Sequence, residues 1–182
     1  MEKYIVLALL LIGIFSFILN WILNKEIDFK TRTVSEYANG PYGYLTTIGF
    51  VLIGVGSILV AQNIWDQEQG LLFLVFKWAL VVYGVLIASL AGIHADRPNE
   101  HTLLGKMHDI LASIALILLQ LNMIVFLFLT KSTGASLWPT GTLFVTGITS
   151  LALFAFAKKT YRGYWERGVM FSQFFWLIYL LL

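Results

Sequence analysis

The chain contains no cysteine, which excludes disulfides, thiolate metal sites and cysteine nucleophiles. It is almost as poor in charge. Lys, Arg, Asp and Glu make up 12% of its 182 residues, where a soluble domain carries roughly 25%. So little polar surface cannot clothe a globule in water. The 59% hydrophobic content and a mean hydropathy of +0.82 point to lipid as the solvent for most side chains. A net charge of only +2 in so apolar a chain leaves no basic surface for a nucleic-acid partner. No small-x-small cleavage site precedes Asn24, so the N-terminal apolar run reads as a retained span rather than a removed leader.

What is present is a series of long apolar stretches. A hydrocarbon core of about 30 Å takes roughly 20 apolar residues in a helix. Residues 4–23, 43–62, 71–93, 108–129 and 137–157 meet that requirement. A sixth segment, 164–182, has its apolar part only from Gly168 onward, and spans if Tyr164 and Trp165 anchor it while Glu166 and Arg167 snorkel. These stretches are apolar on both faces, unlike the alternating strands of a membrane barrel. The expectation is therefore an all-α membrane protein, one polytopic domain over 1–182, with a bundle of about six transmembrane helices.

The basic residues set an orientation. Nine lie in the first, third and fifth loops: Lys25, Lys30, Arg32, Arg97, Lys106, Lys158, Lys159, Arg162 and Arg167. Lys3 and Lys131 alone lie on the other side, and Lys77 falls inside the third span. By the positive-inside rule the odd-numbered loops face the cytoplasm and both termini face out, in a multi-pass cell (inner) membrane protein. Lys77 is expected either to snorkel outward beside Trp78 or to precede a span that starts later than residue 71. Gly84, Ala88 and Gly92 recur every four residues, a small-residue stripe that lets another helix approach. Trp21, Trp65, Trp138 and Trp165 fall near span ends, where interface aromatics sit.

The remaining polar residues collect on the side of the odd loops. His94, His101 and His108 are spaced by sevens, but Pro98 interrupts any continuous helix through them. The third helix is expected to end near His94 and the fourth to begin near Asn99. His101 and His108 then stand about 10.5 Å apart in rise, too far for one zinc whose ligands lie about 2 Å from it. His94 and His108 instead cap adjacent ends of a hairpin, and with Asp96 they are candidates for a divalent zinc or iron site. A bis-histidine haem on His94 and His108 is a weaker alternative. No HExxH or similar metal motif is present, and loop histidines are more often solvated than ligating. Ser35 is a candidate nucleophile with His108 as its base, and equally a helix cap with Glu36 beside it. Glu166 and Arg167 are candidates to pair with Asp96 or Arg97 across the bundle.

Several short motifs carry a resemblance. Ser35-x-Tyr37, Gly43-Tyr44-Leu45 and Gly49-Phe50 with Gly54 are similar to the opening of the bacterial and archaeal DUF998 membrane family. Asp96 followed by Gly105-x-x-His108, and Trp165-Glu166-Arg167 before the last helix, resemble its later motifs. His94-Ala95 stands where the family has an aromatic–proline pair. The resemblance covers nearly the whole chain; it implies the membrane topology and marks candidate residues, and implies no activity.

Two functional classes follow. One is a membrane-embedded enzyme or binder of a lipid-like molecule. Its catalytic candidates are Asp96 and His108, and its ligand-binding candidates are Ser35, Tyr37, His94, Glu166 and Arg167. The other is a non-catalytic membrane subunit or small transporter whose polar loops dock a membrane-protein partner. No chain of buried acids resembling a proton relay is legible.

Overall fold

The computed structural model describes residues 2–64, 70–97, 100–131, 137–156 and 159–182. Six α-helices dominate them: α1 (Glu2–Leu23), α2 (Tyr44–Asn63), α3 (Leu71–Ser89), α4 (Leu103–Lys131), α5 (Trp138–Phe156) and α6 (Arg162–Tyr179). Short 3₁₀ turns occupy Ser35–Asn39 and Lys159–Tyr161, and no strand occurs among the described residues. Helices are what lipid demands, because they satisfy their own backbone groups. The first five are each long and apolar enough to cross a membrane. The fold is the expected all-helical membrane bundle.

The sixth helix differs in kind. It carries three charged residues, Arg162, Glu166 and Arg167, within 18. Its buried positions cover more than half its circumference, from Glu166 and Arg167 through Gln173 to Trp176. The other helices sheath it, so it needs less apolar surface than they do. This corrects the snorkelling expectation: Glu166 and Arg167 are only 7% and 3% exposed and point into the protein. At the opposite extreme, only 17% of α5 is buried.

Aromatic packing fixes α6 in place. Phe174 stacks on Phe17 of α1 at 5.8 Å, and Phe17 meets the edge of Phe50 of α2 at 5.2 Å. Gly49 makes room for this, since a Cβ there would stand 2.8 Å from the Phe17 ring. Nearer the other end, Trp176 packs edge-on against Phe76 of α3 and Phe126 of α4, at 6.0 and 5.8 Å. Such pairs contribute roughly 0.5–1.5 kcal/mol each beyond their burial.

Helices α2 and α3 meet at a glycine seam. A Cβ on Gly54 would lie 2.5 Å from the Gly84 carbonyl oxygen and 2.8 Å from the Ala88 Cβ, and one on Gly84 would lie 2.5 Å from the Gly54 carbonyl. Gly92 does not join them. The third helix stops at Ser89, not near His94, and the Ser89 hydroxyl turns back onto the Leu86 carbonyl at 2.7 Å. Gly92 therefore lies in the following turn, with only the Ser89 carbonyl within 4 Å of its Cβ position.

Two further expectations change. Lys77 is 3% exposed and sets its ammonium 4.9 Å from the centre of the Phe73 ring, so it does not snorkel. Trp21 turns inward and meets Phe29 and Phe171 edge-on, both at 5.7 Å, while Trp138 is exposed at the start of α5. Trp65 lies outside the described residues.

The seam gives a direct test. Ala88→Leu and Gly54→Leu are expected to destabilise the protein by about 1–3 kcal/mol through overpacking, whereas Gly92→Leu leaves it unchanged. Thermal unfolding in detergent measures this; equal melting of all three variants would place the seam elsewhere.

Candidate functional site

The first loop, residues 24–43, folds back over one end of the bundle. A buried amide cluster holds its root. Asn20 Nδ2 donates to the Thr46 hydroxyl at 2.5 Å and to the Tyr37 carbonyl at 3.5 Å, and Asn24 donates to the Asn20 side-chain oxygen. The phenol of Tyr37, fully buried, donates to the Ile27 carbonyl at 3.0 Å. Glu36 stays nearer the surface, where it pairs with Arg32 at 3.0 Å and accepts from the Thr33 N–H at 2.7 Å. Ser35 begins the 3₁₀ turn, but no side-chain bond caps that turn.

The start of α6 clamps this loop. Glu166 accepts the Val34 N–H at 2.7 Å. One nitrogen of Arg167, Nη1, donates to the carbonyls of Phe29, Arg32 and Gly163 at 2.9, 3.1 and 2.6 Å. The guanidinium also lies 3.9 Å from the centre of the Phe29 ring, 4.8 Å from Trp21 and 5.2 Å from Tyr37. Its Nε and Nη2 are buried without a hydrogen-bond partner among the described residues. Gly163 donates its own N–H to the Lys30 carbonyl at 2.8 Å, and a side chain there would strike the loop backbone. Glu166 and Arg167 thus bind loop one, and neither makes the expected ion pair with Asp96 or Arg97.

The third loop forms a separate clip at the start of α4. Thr102 caps that helix, its hydroxyl accepting the Gly105 N–H at 3.0 Å. Asp96 in turn accepts the Thr102 N–H at 2.9 Å and the Thr102 hydroxyl at 2.5 Å. Those two bonds hold the Asp96 carboxyl below its ordinary value of 3.8. Gly105 is required because any Cβ there would overlap the Asp96 carboxylate. One turn on, His108 bonds through Nδ1 to the Ile93 carbonyl. A carbonyl only accepts, so Nδ1 carries a hydrogen. Its Nε2 is buried and finds no partner among the described residues.

Of the three histidines, only His108 is buried; His94 and His101 are exposed. Among the described residues no three of His, Cys, Asp and Glu stand close enough together to hold a metal ion. His94, Asp96 and His108 therefore do not form the expected zinc or iron site; Asp96 is bonded to Thr102 instead. The fourth helix starts at Leu103 rather than near Asn99, and Pro98 and Asn99 lie outside the described residues.

Loops one and three meet at one end of the bundle. Besides the contacts of α6 with loop one, Asn39 donates to the Ala95 carbonyl of loop three at 3.0 Å. Beneath this cap, Ser35, Tyr83, Glu166 and Gln173 share a narrow cavity with apolar neighbours. It has about 20 Å³ for the centres of water molecules, enough for roughly one water.

A larger opening lies on the flank. Ser113, Leu116 and Ile117 of α4, with Leu151, Phe154 and Ala155 of α5, enclose a groove of about 430 Å³. Arg162 lines it as the first residue of α6, its guanidinium 4.7 Å from the centre of the Phe154 ring. Neither this arginine nor the Asn20–Asn24–Thr46 cluster stands out in the sequence reading. The available signals were an Asn pair four residues apart at the end of an apolar run, and an arginine closing the basic stretch after Lys158 and Lys159.

A helical membrane bundle with one polar end capped by its own loops is the class that this geometry defines. Residues 6–182 match the family described as a protein of unknown function (DUF998), and the chain belongs to that family. No curated protein and no solved structure matches it.

Arg167→Lys should expose the clamp. Lysine supplies no planar fork and stacks poorly on aromatic rings, and each buried carbonyl left unpaired costs about 1–3 kcal/mol. We expect a lower melting temperature together with faster protease cleavage between Ile27 and Thr33. Unchanged cleavage would mean that Arg167 does not hold the loop.

Proposed function

We propose that this protein is a membrane-embedded binder of a lipid-like molecule, taken up sideways into the groove between α4 and α5. The observation that carries the reading is the groove itself: mostly apolar walls on the flank of the bundle and, among the described residues, a single charged side chain lining it. Ligand pockets combine apolar walls with a few placed polar groups in this way. The polar residues first singled out support a scaffolding part in this reading. Glu166, Arg167 and Tyr37 hold loop one, while Asp96 and His108 hold the start of α4. A binding role asks no acid–base chemistry of them.

Filling the groove tests the proposal. Ile117 is 48% exposed on the α4 wall, and Val85 is 55% exposed on α3, away from the groove. Ile117→Trp is expected to strip co-purifying lipid from the detergent-solubilised protein, with Val85→Trp retaining it and both melting as the parent does. Equal lipid in the two variants sinks the reading.

We further propose that loops one, three and five lie in the cytoplasm and both termini outside, in the cell membrane. The nine basic residues in those loops, against two on the other side, support this orientation. A reporter active only in the cytoplasm is expected to work when inserted at Lys30 and to fail at the C-terminus. The opposite pattern would reverse the orientation.

A further inference from the structure

We propose that the molecule held in the α4–α5 groove is an anionic lipid, whose phosphate or carboxylate head is gripped by Arg162. This rests on the lipid-binding reading above and names the head that the groove selects.

The argument begins with what Arg162 does not do. Its natural helix partner is Glu166, four residues on, where an Arg–Glu pair would meet on the helix surface. Glu166 is instead turned inward onto the Val34 N–H at 2.7 Å. Among the described residues no carboxylate lies within 4.0 Å of Arg162; the ion pair found among them is Arg32–Glu36, within loop one. Arg162 is exposed at the groove, with its guanidinium set against the Phe154 ring. That contact steadies the side chain while leaving donors for a ligand, and the guanidinium fork matches the paired oxygens of phosphate or carboxylate.

Other head chemistries fit less well. A quaternary ammonium needs an open aromatic face, and Arg162 already sits over that of Phe154 while repelling a second cation. A neutral hydroxyl head would leave the guanidinium uncompensated at the edge of the apolar region. A small soluble anion would gain nothing from Leu116, Ile117 and Leu151. The α4 wall runs only from Ser113 to Ile117, about 6 Å along the helix. It therefore grips the carbons nearest the head, and selectivity falls on the head rather than on chain length.

Native mass spectrometry of the full chain, with added phosphatidylglycerol or phosphatidylcholine of equal chain length, tests this. We expect phosphatidylglycerol to bind about tenfold more tightly, equivalent to one charge-assisted contact of roughly 1.4 kcal/mol. Arg162→Gln should erase the preference while phosphatidylcholine binding persists, and Arg162→Lys should restore part of it. Millimolar inorganic phosphate should not displace the lipid. Equal binding of the two lipids by the parent protein, or an undiminished preference in Arg162→Gln, overturns the inference and leaves the groove reading standing. Displacement by inorganic phosphate overturns it in favour of a soluble anion. Binding of both lipids that is indifferent to Ile117→Trp overturns the groove reading itself.

Discussion

A guanidinium buried inside a protein must find acceptors there, and Arg167 finds them in the backbone of the first loop and of its own helix. Three carbonyls converge on its Nη1, and three aromatic rings surround the cation. Removing a charge from water costs several kcal/mol unless it is paired or hydrogen-bonded. Much of the capped end follows from that requirement. Loop one has to bend so that Phe29 and Arg32 present their oxygens beside that of Gly163 in α6. Glu166 then faces the Val34 N–H on the same loop, and the side chain of Tyr37 is trapped beneath.

The two sets of polar residues divide the end between them. Glu166 and Arg167 join the last helix to the first loop, across more than 130 residues of sequence. Asp96, Thr102, Gly105 and His108 act locally, stitching the third loop to the start of α4. The Asn39–Ala95 bond connects one system to the other. The result is a stiff cap on one end, while α4 and α5 stand apart on the flank and leave the groove.

The apolar stretches made the helices legible, because the thickness of a bilayer and the helical rise together fix their length. That loops one and three share one face was equally legible from their charges and polar residues. What could not be read was the partner of each group. Glu166 and Arg167 invite a search for opposite charges, yet both are satisfied by backbone, which sequence does not distinguish. The Gly105-x-x-His108 spacing looked like part of a site, and its physical basis is local: a glycine clears space for a carboxylate and a histidine reaches a carbonyl. Gly92 shows a related failure. A four-residue repeat places it on a helix face only while the helix continues, and the turn after Ser89 removes it.

The composition of α6 also bears on the order in which the bundle is made. A segment bearing Arg162, Glu166 and Arg167, with Gln173 deeper in, gains little by entering lipid alone, since each ionised side chain at mid-membrane costs a few kcal/mol on insertion scales. Its charged end becomes tolerable where loop one offers carbonyls and an N–H, and its ring-bearing end where Phe17, Phe76 and Phe126 are already packed. The sixth helix, which follows the other five in the chain, is thus the one whose place must be prepared by those before it. A poorly hydrophobic strut is accepted into a vacancy shaped for it.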